Sequence, residues 1–558
     1  MSPTPPQDPA KISPSPPQDP AKISPSPPQD PTQILLVNPV RGSHFFFMLD
    51  IGKVLANAGY NVTLITLDPD SRAALPSSDP LFRVITPSES SFMYNVEFHN
   101  RSEECVKQLA EDYSAEEGMS MSVRVPACRD TVLDMYGKSL EFFHGTQWKR
   151  LREENDFKLI VAEERTVWAA SLAYWGSGIP VAMVNPEHSY ILPKVKHQLP
   201  LLFNNEPGML NIHFHENKGL FLKLQSLVSA MQMIPFAMQL NEIFKPFLDE
   251  RNLTSLNDVT KTIDLFLVND YPSFSFPYKL PPTVVKIGTL GYSSSTALPS
   301  YLTEFLTKDS KETIYLSFGS YVASDLDWLE RYSLFMEAAK VLDMKIIISL
   351  GSEEQSFSKI FRSDEQKSYS EGIFSSDHVY VSKWLPQKAL LDSGHVTLFV
   401  SHCGSNSRME GIYYQVPILC IPLYAEQIVI ANIIKYRGFG NILPKENLTP
   451  SNILQSLNTT LQHGAQFRAK MGRAVKVLEL SPITIEENLV YHVKLLLELG
   501  ELPYLENDVL EGKSVVDANN LDVLGLVVLV AAVVLWIVVG VIKEDSVIDK
   551  VYDIAVGP

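Results

Sequence analysis

The chain has 558 residues, of which 45% are hydrophobic and 20% charged, more than a single hydrophobic core usually serves, so at least two domains are expected. Its formal net charge of -17 would repel phosphate backbones, and no compact basic stripe offsets it, which excludes a nucleic-acid partner. The four cysteines, Cys105, Cys128, Cys403 and Cys420, stand far apart and form neither a CxxC pair nor a dense disulfide pattern, so they leave the redox compartment open.

The N-terminal segment repeats every eleven residues: SPTPPQDPAKI from Ser2, SPSPPQDPAKI from Ser13 and SPSPPQDPTQI from Ser24. Proline at this density removes amide donors and favours polyproline II, which predicts a disordered, semi-rigid arm over residues 1–32. The PxxP spacing of Pro17 and Pro20 would suit an SH3-like domain, although a spacer is the plainer reading. No basic start followed by an apolar run is visible, so no signal peptide is expected.

From Gln33 the pattern turns to strand and helix: ILLV, a turn through Pro39 and Gly42, then Met48, Ile51, Leu55 and Ala58 at helical spacing, closed by Gly59. VTLITL from Val62 is the next strand, and the same grammar returns at residues 159–162 and 179–184. A second set follows the Pro-rich stretch 272–282, with strands expected at 313–317, 345–350, 396–400 and 418–421. Continuous apolar strands alternating with helices describe parallel sheets covered on both faces. The fold class expected is α/β, with two doubly wound, Rossmann-like domains facing a cleft and a boundary near residue 280.

The strongest compositional feature begins at Val523 and ends at Ile542, VLGLVVLVAAVVLWIVVGVI, without a charge. It is long enough to cross about 30 Å of hydrocarbon. With no polar face, and with Asp522 before it and Lys543, Glu544 and Asp545 after it, a transmembrane helix is expected rather than a buried core helix. Residues 543–558 would then form a short tail.

Ligands of open parallel sheets bind beyond the carboxyl ends of the strands, so the loops there should carry function. After ILLV comes Ser43-His44 at a helix start; after LIVA comes the acidic pair Glu163-Glu164; after TIYLS comes Phe318-Gly319-Ser320; after VTLFV comes Ser401-His402-Cys403-Gly404-Ser405-Asn406. The last is the sharpest, because a strand, a Gly-containing turn and a helix present free amides and a positive dipole end, which suits a diphosphate without a metal. Asn406 and Glu410 are spaced i,i+4 and share a helix face. Trp384-Leu-Pro-Gln387 offers a flat ring for stacking a base and an amide to read its edge, and Pro422-Leu-Tyr-Ala-Glu426-Gln427 offers polar groups for sugar hydroxyls. Singly, each has a plain explanation: His402 as a helix-start residue, Trp384 as core, Glu426 as a solvated charge.

In this order and spacing, however, W-L-P-Q, H-C-G-S-N-S-x-x-E and P-L-Y-A-E-Q resemble the signature of the UDP-glycosyltransferase superfamily. More narrowly the chain resembles the membrane-bound UDP-glucuronosyltransferases of animals. The likeness runs from Gln33 to Ile542 and includes Gly42-Ser43-His44, the FGS at Phe318 and the LDVLG at Leu521. It implies a GT-B fold, with the acceptor held by residues 33–280 and the UDP-sugar by 281–515, ahead of the membrane segment at 521–542. It implies His44 as general base and Glu163 as its orienting partner; His402, Gly404 and Asn406 as diphosphate contacts; Gln387 and Glu410 as uridine contacts; and Glu426 and Gln427 at the donor sugar, with Ser320 and Trp384 also expected in the donor site.

Glu163 and Glu426 stand where aspartate is the family's usual residue, so each carboxylate would sit one methylene farther out. The implied activity is inverting transfer of a hexosyl group, glucuronosyl before glucosyl, to a hydroxyl of a small lipophilic acceptor. The partners implied are the UDP-sugar, that acceptor and the membrane, with a homo-oligomer left open and no cofactor or metal. The implied setting is the endoplasmic reticulum, with a lumenal catalytic body that could be glycosylated at the sequons of Asn100, Asn252, Asn447 and Asn458. A nicotinamide dehydrogenase is disfavoured because the first βα turn, NPVRGSH, lacks GxGxxG. A catalytically silent, membrane-tethered binding protein is disfavoured by the presence of both His44 and Glu163. No His/Cys/Asp cluster has the spacing of a calcium or zinc site.

Overall fold

The computed structural model describes residues 31–39, 42–66, 79–86, 126–187, 191–197, 234–276, 280–288, 290–291, 297–319, 326–350, 374–423, 426–505 and eight residues between 525 and 534. The Pro-rich repeats, Ser320, Asn100 and much of the apolar run from Val523 to Ile542 lie outside them. Among the described residues no helix is long and apolar enough to cross a membrane.

Two seven-stranded sheets form the body. The first has the order β3-β2-β1-β4-β5-β6-β7, built from β1 (Gln33–Asn38), β2 (Asn61–Thr66), β3 (Phe82–Ile85), β4 (Phe157–Glu163), β5 (Val181–Asn185), β6 (Leu265–Val268) and β7 (Val284–Lys286). All of its neighbours run parallel. The second has the order β10-β11-β9-β8-β12-β13-β14, with β8 (Thr313–Ser317), β9 (Lys345–Ser349), β10 (Phe374–Ser375), β11 (Val379–Ser382), β12 (Val396–Ser401), β13 (Ile418–Cys420) and β14 (Gly440–Ile442). It is parallel except for β10, which pairs antiparallel with β11.

Why these segments are strands follows from burial on both faces. Ile34, Leu35, Leu36 and Val37 are all fully buried, as are Ile346, Ile347 and Ile348, because helices cover each side of a parallel sheet and leave no polar face. Strand order reverses direction beside β1 and β4 in one sheet and beside β8 and β12 in the other. Those switch points are where crossovers diverge and leave a crevice at the carboxyl ends of the strands. His44 and Glu163 follow the first pair, and His402 follows β12 of the second.

The two sheets share packing. One continuous apolar cluster takes Ile34 and Leu265 from the first and Tyr315, Phe399 and Ile418 from the second, with Phe47 of the helix Ser43–Asn57 and Leu489 and Val493 of the helix Ile485–Leu499 joining it. Asn488 of that helix donates to the Lys286 carbonyl at 3.4 Å. At the seam, Arg408 and Asp270 are both fully buried and form an ion pair at 3.2 Å, with Lys286 on the other carboxylate oxygen at 2.9 Å. Such a pair adds little net stability while intact but is costly to break from one side.

Cys403 and Cys420, for which the sequence spacing offered no pairing, are bonded to each other across 17 residues. They lie at the carboxyl ends of β12 and β13, which are hydrogen-bonded neighbours, so topology supplies the proximity that spacing did not show.

Candidate active site

The helix Ser43–Asn57 starts after the turn that ends β1, and it brings His44 into the crevice in front of β4. Glu163 is the last residue of β4 and fully buried. Its Oε1 lies 3.0 Å from His44 Nδ1, so the two residues that the sequence places 119 positions apart meet as a hydrogen-bonded pair. Glu163 is held from two more directions: Arg165 Nη1 donates to Oε1 at 2.6 Å and the Arg165 amide donates to Oε2 at 2.8 Å.

Two residues that the sequence did not single out complete this group. Glu187, two residues beyond β5, places Oε1 3.1 Å from His44 Nε2. Arg165 Nη2 donates to the same oxygen at 2.5 Å. The four side chains close a ring in which carboxylates alternate with cations. Burial is the largest influence on the His44 imidazole and lowers its pKa, as does Arg165, but hydrogen bonds to Glu163 and Glu187 outweigh both and raise it to about 9. Glu187 is held well below the usual carboxylate range, because Arg165 and His44 overcome the opposing effect of burial. Glu163 is lowered in the same way. Glu164, which accepts from Asn185 Nδ2 at 2.6 Å, is pushed the other way, to about 8, first by burial and then by the Glu187 charge.

The other wall belongs to the second sheet and is electrostatically quieter. The helix Ser405–Tyr413 begins at Gly404, and no side chain caps it, so its first amides and its dipole face the crevice. The His402 ring packs against two glycines. A Cβ at Gly404 would come 2.6 Å from Nε2, and one at Gly319, whose φ is +79°, would come 2.9 Å from Cε1. Any side chain there would displace the ring. Burial pushes the His402 imidazole down to about 4 against a weaker opposing hydrogen bond at the Ser317 backbone, so the ring is neutral near pH 7. His402 Nδ1 and Ser405 Oγ are buried without a hydrogen-bond partner among the described residues. The uncapped amides of the helix start and the unpartnered Ser405 hydroxyl, which can donate, suit an anionic ligand.

Gln387 opens the helix Gln387–Asp392, donates to Glu410 Oε2 at 2.8 Å and accepts from the Tyr315 hydroxyl at 3.0 Å. The structure therefore joins Gln387 and Glu410, 23 residues apart, into one polar unit. Trp384 is 57% exposed, a free face rather than core, and its ring centroid lies 5.7 Å from that of Phe46 in the first domain. Asn406 turns towards the first domain: it accepts from Asn269 Nδ2 at 2.6 Å and donates to the Ser43 carbonyl at 3.4 Å. Gln427 is buried with its oxygen on the Leu423 amide at 2.9 Å, which braces the loop after β13. Glu426, at the start of the helix Glu426–Arg437, is raised to about 8 by burial and then by the Glu187 charge, which puts it within electrostatic reach of the His44 cluster.

Two parallel sheets with a crevice between their carboxyl ends define a class, the two-domain GT-B architecture. A solved structure described as the glycotransferase of kitacinnamycin superposes with a TM-score of 0.54 at 15% identity, covering 84% of this chain and 98% of that one. The sequence then narrows the class. Residues 33–546 match the family described as UDP-glucoronosyl and UDP-glucosyl transferase, and the chain belongs to this family. It is 21% identical to UDP-glucosyltransferase 2 of Dactylopius coccus over 82% of each chain. It is 22% identical to human UDP-glucuronosyltransferase 2B7 over 51% of this chain and 50% of that one. The protein is a UDP-glycosyltransferase.

Proposed function

We propose that the chain is an inverting hexosyltransferase that uses His44 to take the proton of an acceptor hydroxyl while a UDP-sugar lies against the second domain. The observation that carries this reading is the 3.0 Å contact of His44 with the buried Glu163. A carboxylate on Nδ1 fixes the tautomer and makes Nε2, which Glu187 meets at 3.1 Å in this structure, the nitrogen that would accept the proton. Opposite it, the start of the helix Ser405–Tyr413 and the neutral His402 would hold the diphosphate, Gln387 and Glu410 the ribose and base, and Trp384 the face of the base. Glu426 would meet the sugar. Attack at the anomeric carbon from the His44 side, with UDP leaving towards the second domain, inverts configuration.

The resemblance favours glucuronosyl as the group transferred and a small lipophilic molecule as acceptor. A specific feature supports glucosyl as a second reading: Arg165, the arginine of the crevice cluster, already pairs with both Glu163 and Glu187. Its guanidinium is therefore engaged rather than open to a sugar carboxylate. The apolar run from Val523 to Ile542 supports a single-pass membrane protein, and the resemblance favours a catalytic body on the lumenal side of the endoplasmic reticulum. A panel of UDP-glucuronate, UDP-glucose and UDP-galactose with one phenolic acceptor tests the donor. Transfer from none of them would overturn the reading.

A further inference from the structure

His44 is closed in at both ring nitrogens, and the two carboxylates that do so are held differently. Glu163 is fully buried and accepts from three donors: His44 Nδ1, Arg165 Nη1 and the Arg165 amide. Glu187 is attached by two, Arg165 Nη2 and His44 Nε2, and its side chain is 20% exposed. It sits two residues past the end of β5, on the open side of the ring. Arg165 Nη1 also lies 3.1 Å from Nδ1. In its protonated form an imidazole with carboxylates on both nitrogens donates from both, and neither nitrogen keeps a lone pair for a hydroxyl proton.

We propose that Glu187 is a displaceable latch on the general base, a positioning residue that occupies the Nε2 side of His44 until an acceptor hydroxyl replaces it. The proposal rests on the reading of His44 as the base of transfer. As the Glu187 carboxylate withdraws, the Nε2 proton passes to water, and Nδ1–H stays on Glu163. The acceptor O–H then gives its proton to Nε2 while its oxygen bonds the anomeric carbon. The bond from that carbon to the UDP oxygen breaks, and its electron pair leaves with UDP.

Other groups set the background without occupying Nε2. Glu163, Glu164 and Arg165 come from the end of β4, and Tyr136 of the helix Pro126–His144 and Glu426 of the second domain lie within electrostatic reach of the same cluster. Removing Glu187 takes away two of the influences that raise the imidazole, its hydrogen bond and its charge. At pH 7 the neutral fraction of an imidazole with a pKa of about 9 is roughly 1%, against roughly three quarters at the ordinary value of about 6.5. The latch therefore keeps the base protonated until an acceptor is in place.

The test has two parts on the full chain. In the first, 15N-labelled histidine is followed by NMR against pH, with His44 assigned by its loss in His44→Gln. The expected result is titration near 9 in the parent, and a fall of more than one pH unit both in Glu187→Gln and in the parent saturated with UDP and 1-naphthol. A parent His44 that titrates near 6.5, or one that neither change moves, overturns the latch. In the second, kcat/KM for 1-naphthol is measured against pH, since this ratio reports the free enzyme. The acid limb should move down by more than one unit in Glu187→Gln, raising activity at pH 6.5 relative to the plateau at least tenfold; an unchanged limb overturns the proposal. Should Glu187→Gln fail to fold, the UDP and 1-naphthol measurement on the parent still decides it. A parent that moves no sugar to 1-naphthol counts against the acceptor chemistry proposed above, whereas the NMR measurement needs no turnover and still decides the latch.

Discussion

The two walls of the crevice solve different problems with different chemistry. Around His44 the groups are ionic and mutually perturbed: an imidazole raised to about 9, a glutamic acid raised to about 8, and two carboxylates held down by Arg165. Around His402 stand backbone amides at a helix start, an imidazole pushed down to about 4 and so uncharged near pH 7, and Gln387 bonded to Glu410, whose carboxyl burial pushes up. A wall that must move a proton needs groups that titrate near the working pH, whereas one that must hold a diphosphate needs fixed dipoles that do not. The difference supports the proposal that the chemistry belongs to the first domain and donor binding to the second.

Breaking the first wall should have the largest effect. His44→Ala is expected to lower the rate of transfer by roughly 10² to 10⁴ with UDP affinity preserved, as read by steady-state kinetics and calorimetry. Glu163→Gln should lower kcat in the same direction by less, because the amide still reaches Nδ1 but no longer stabilises the imidazolium. On the second wall, His402→Ala and Glu410→Ala should each weaken UDP by about 1.5 to 3 kcal/mol, the cost of a lost charge-assisted hydrogen bond. Calorimetric titration of UDP reads this directly, and parental affinity in both variants would reduce the motif to helix-start chemistry. Trp384→Ala should be milder, about 1 kcal/mol, since an exposed ring loses one stacking face.

The smallest expected effect is one of pH on the second wall. His402 is already neutral above about 4, so its protonation should not change UDP binding across the range where an ordinary histidine titrates, and a step in UDP affinity at pH 6.5 that is lost in His402→Ala would contradict that assignment. The first wall has the opposite sign. A base must be unprotonated to act, and a pKa raised to about 9 makes kcat/KM climb as pH rises towards that value.

The same comparison shows what the sequence made legible. His44, Glu163 and His402 could be found because each follows a continuous apolar strand, and parallel topology sends such positions to one edge. Gln387 and Glu410 were found through a motif, and the fold then explained it by placing β11, β9, β8 and β12 side by side. Arg165 and Glu187 were missed, although both follow strands of the first sheet, because single charged residues in loops of ordinary composition carry no pattern. The rule that picked Glu163 would have reached Glu187 if the loop after β5 had been read like the loop after its neighbour β4. Trp384 and Gln427 show the converse: the sequence named both, but not that one ring is open while the other side chain braces its own loop. The Cys403–Cys420 bond was hidden for a similar reason, since only the adjacency of β12 and β13 brings the sulfurs together.

The seam between the walls is also open to test. Arg408→Met would leave Asp270 buried with Lys286 as its remaining cation, and a loss of about 3 to 5 kcal/mol in unfolding free energy is expected from breaking one side of such a pair. Chemical denaturation measures it; an unchanged midpoint would mean that Lys286 alone neutralises the carboxylate.

The division of labour is tested most directly by one crossed experiment, in which UDP affinity and transfer to a phenolic acceptor are measured on the same preparations of the parent, His44→Ala and His402→Ala. The account predicts that His44→Ala binds UDP like the parent and transfers at least a hundredfold more slowly, while His402→Ala binds UDP about tenfold or more weakly and recovers part of its rate at saturating donor. If His44→Ala loses UDP affinity as His402→Ala does, or if it still transfers at the parental rate, the first domain does not carry the chemistry.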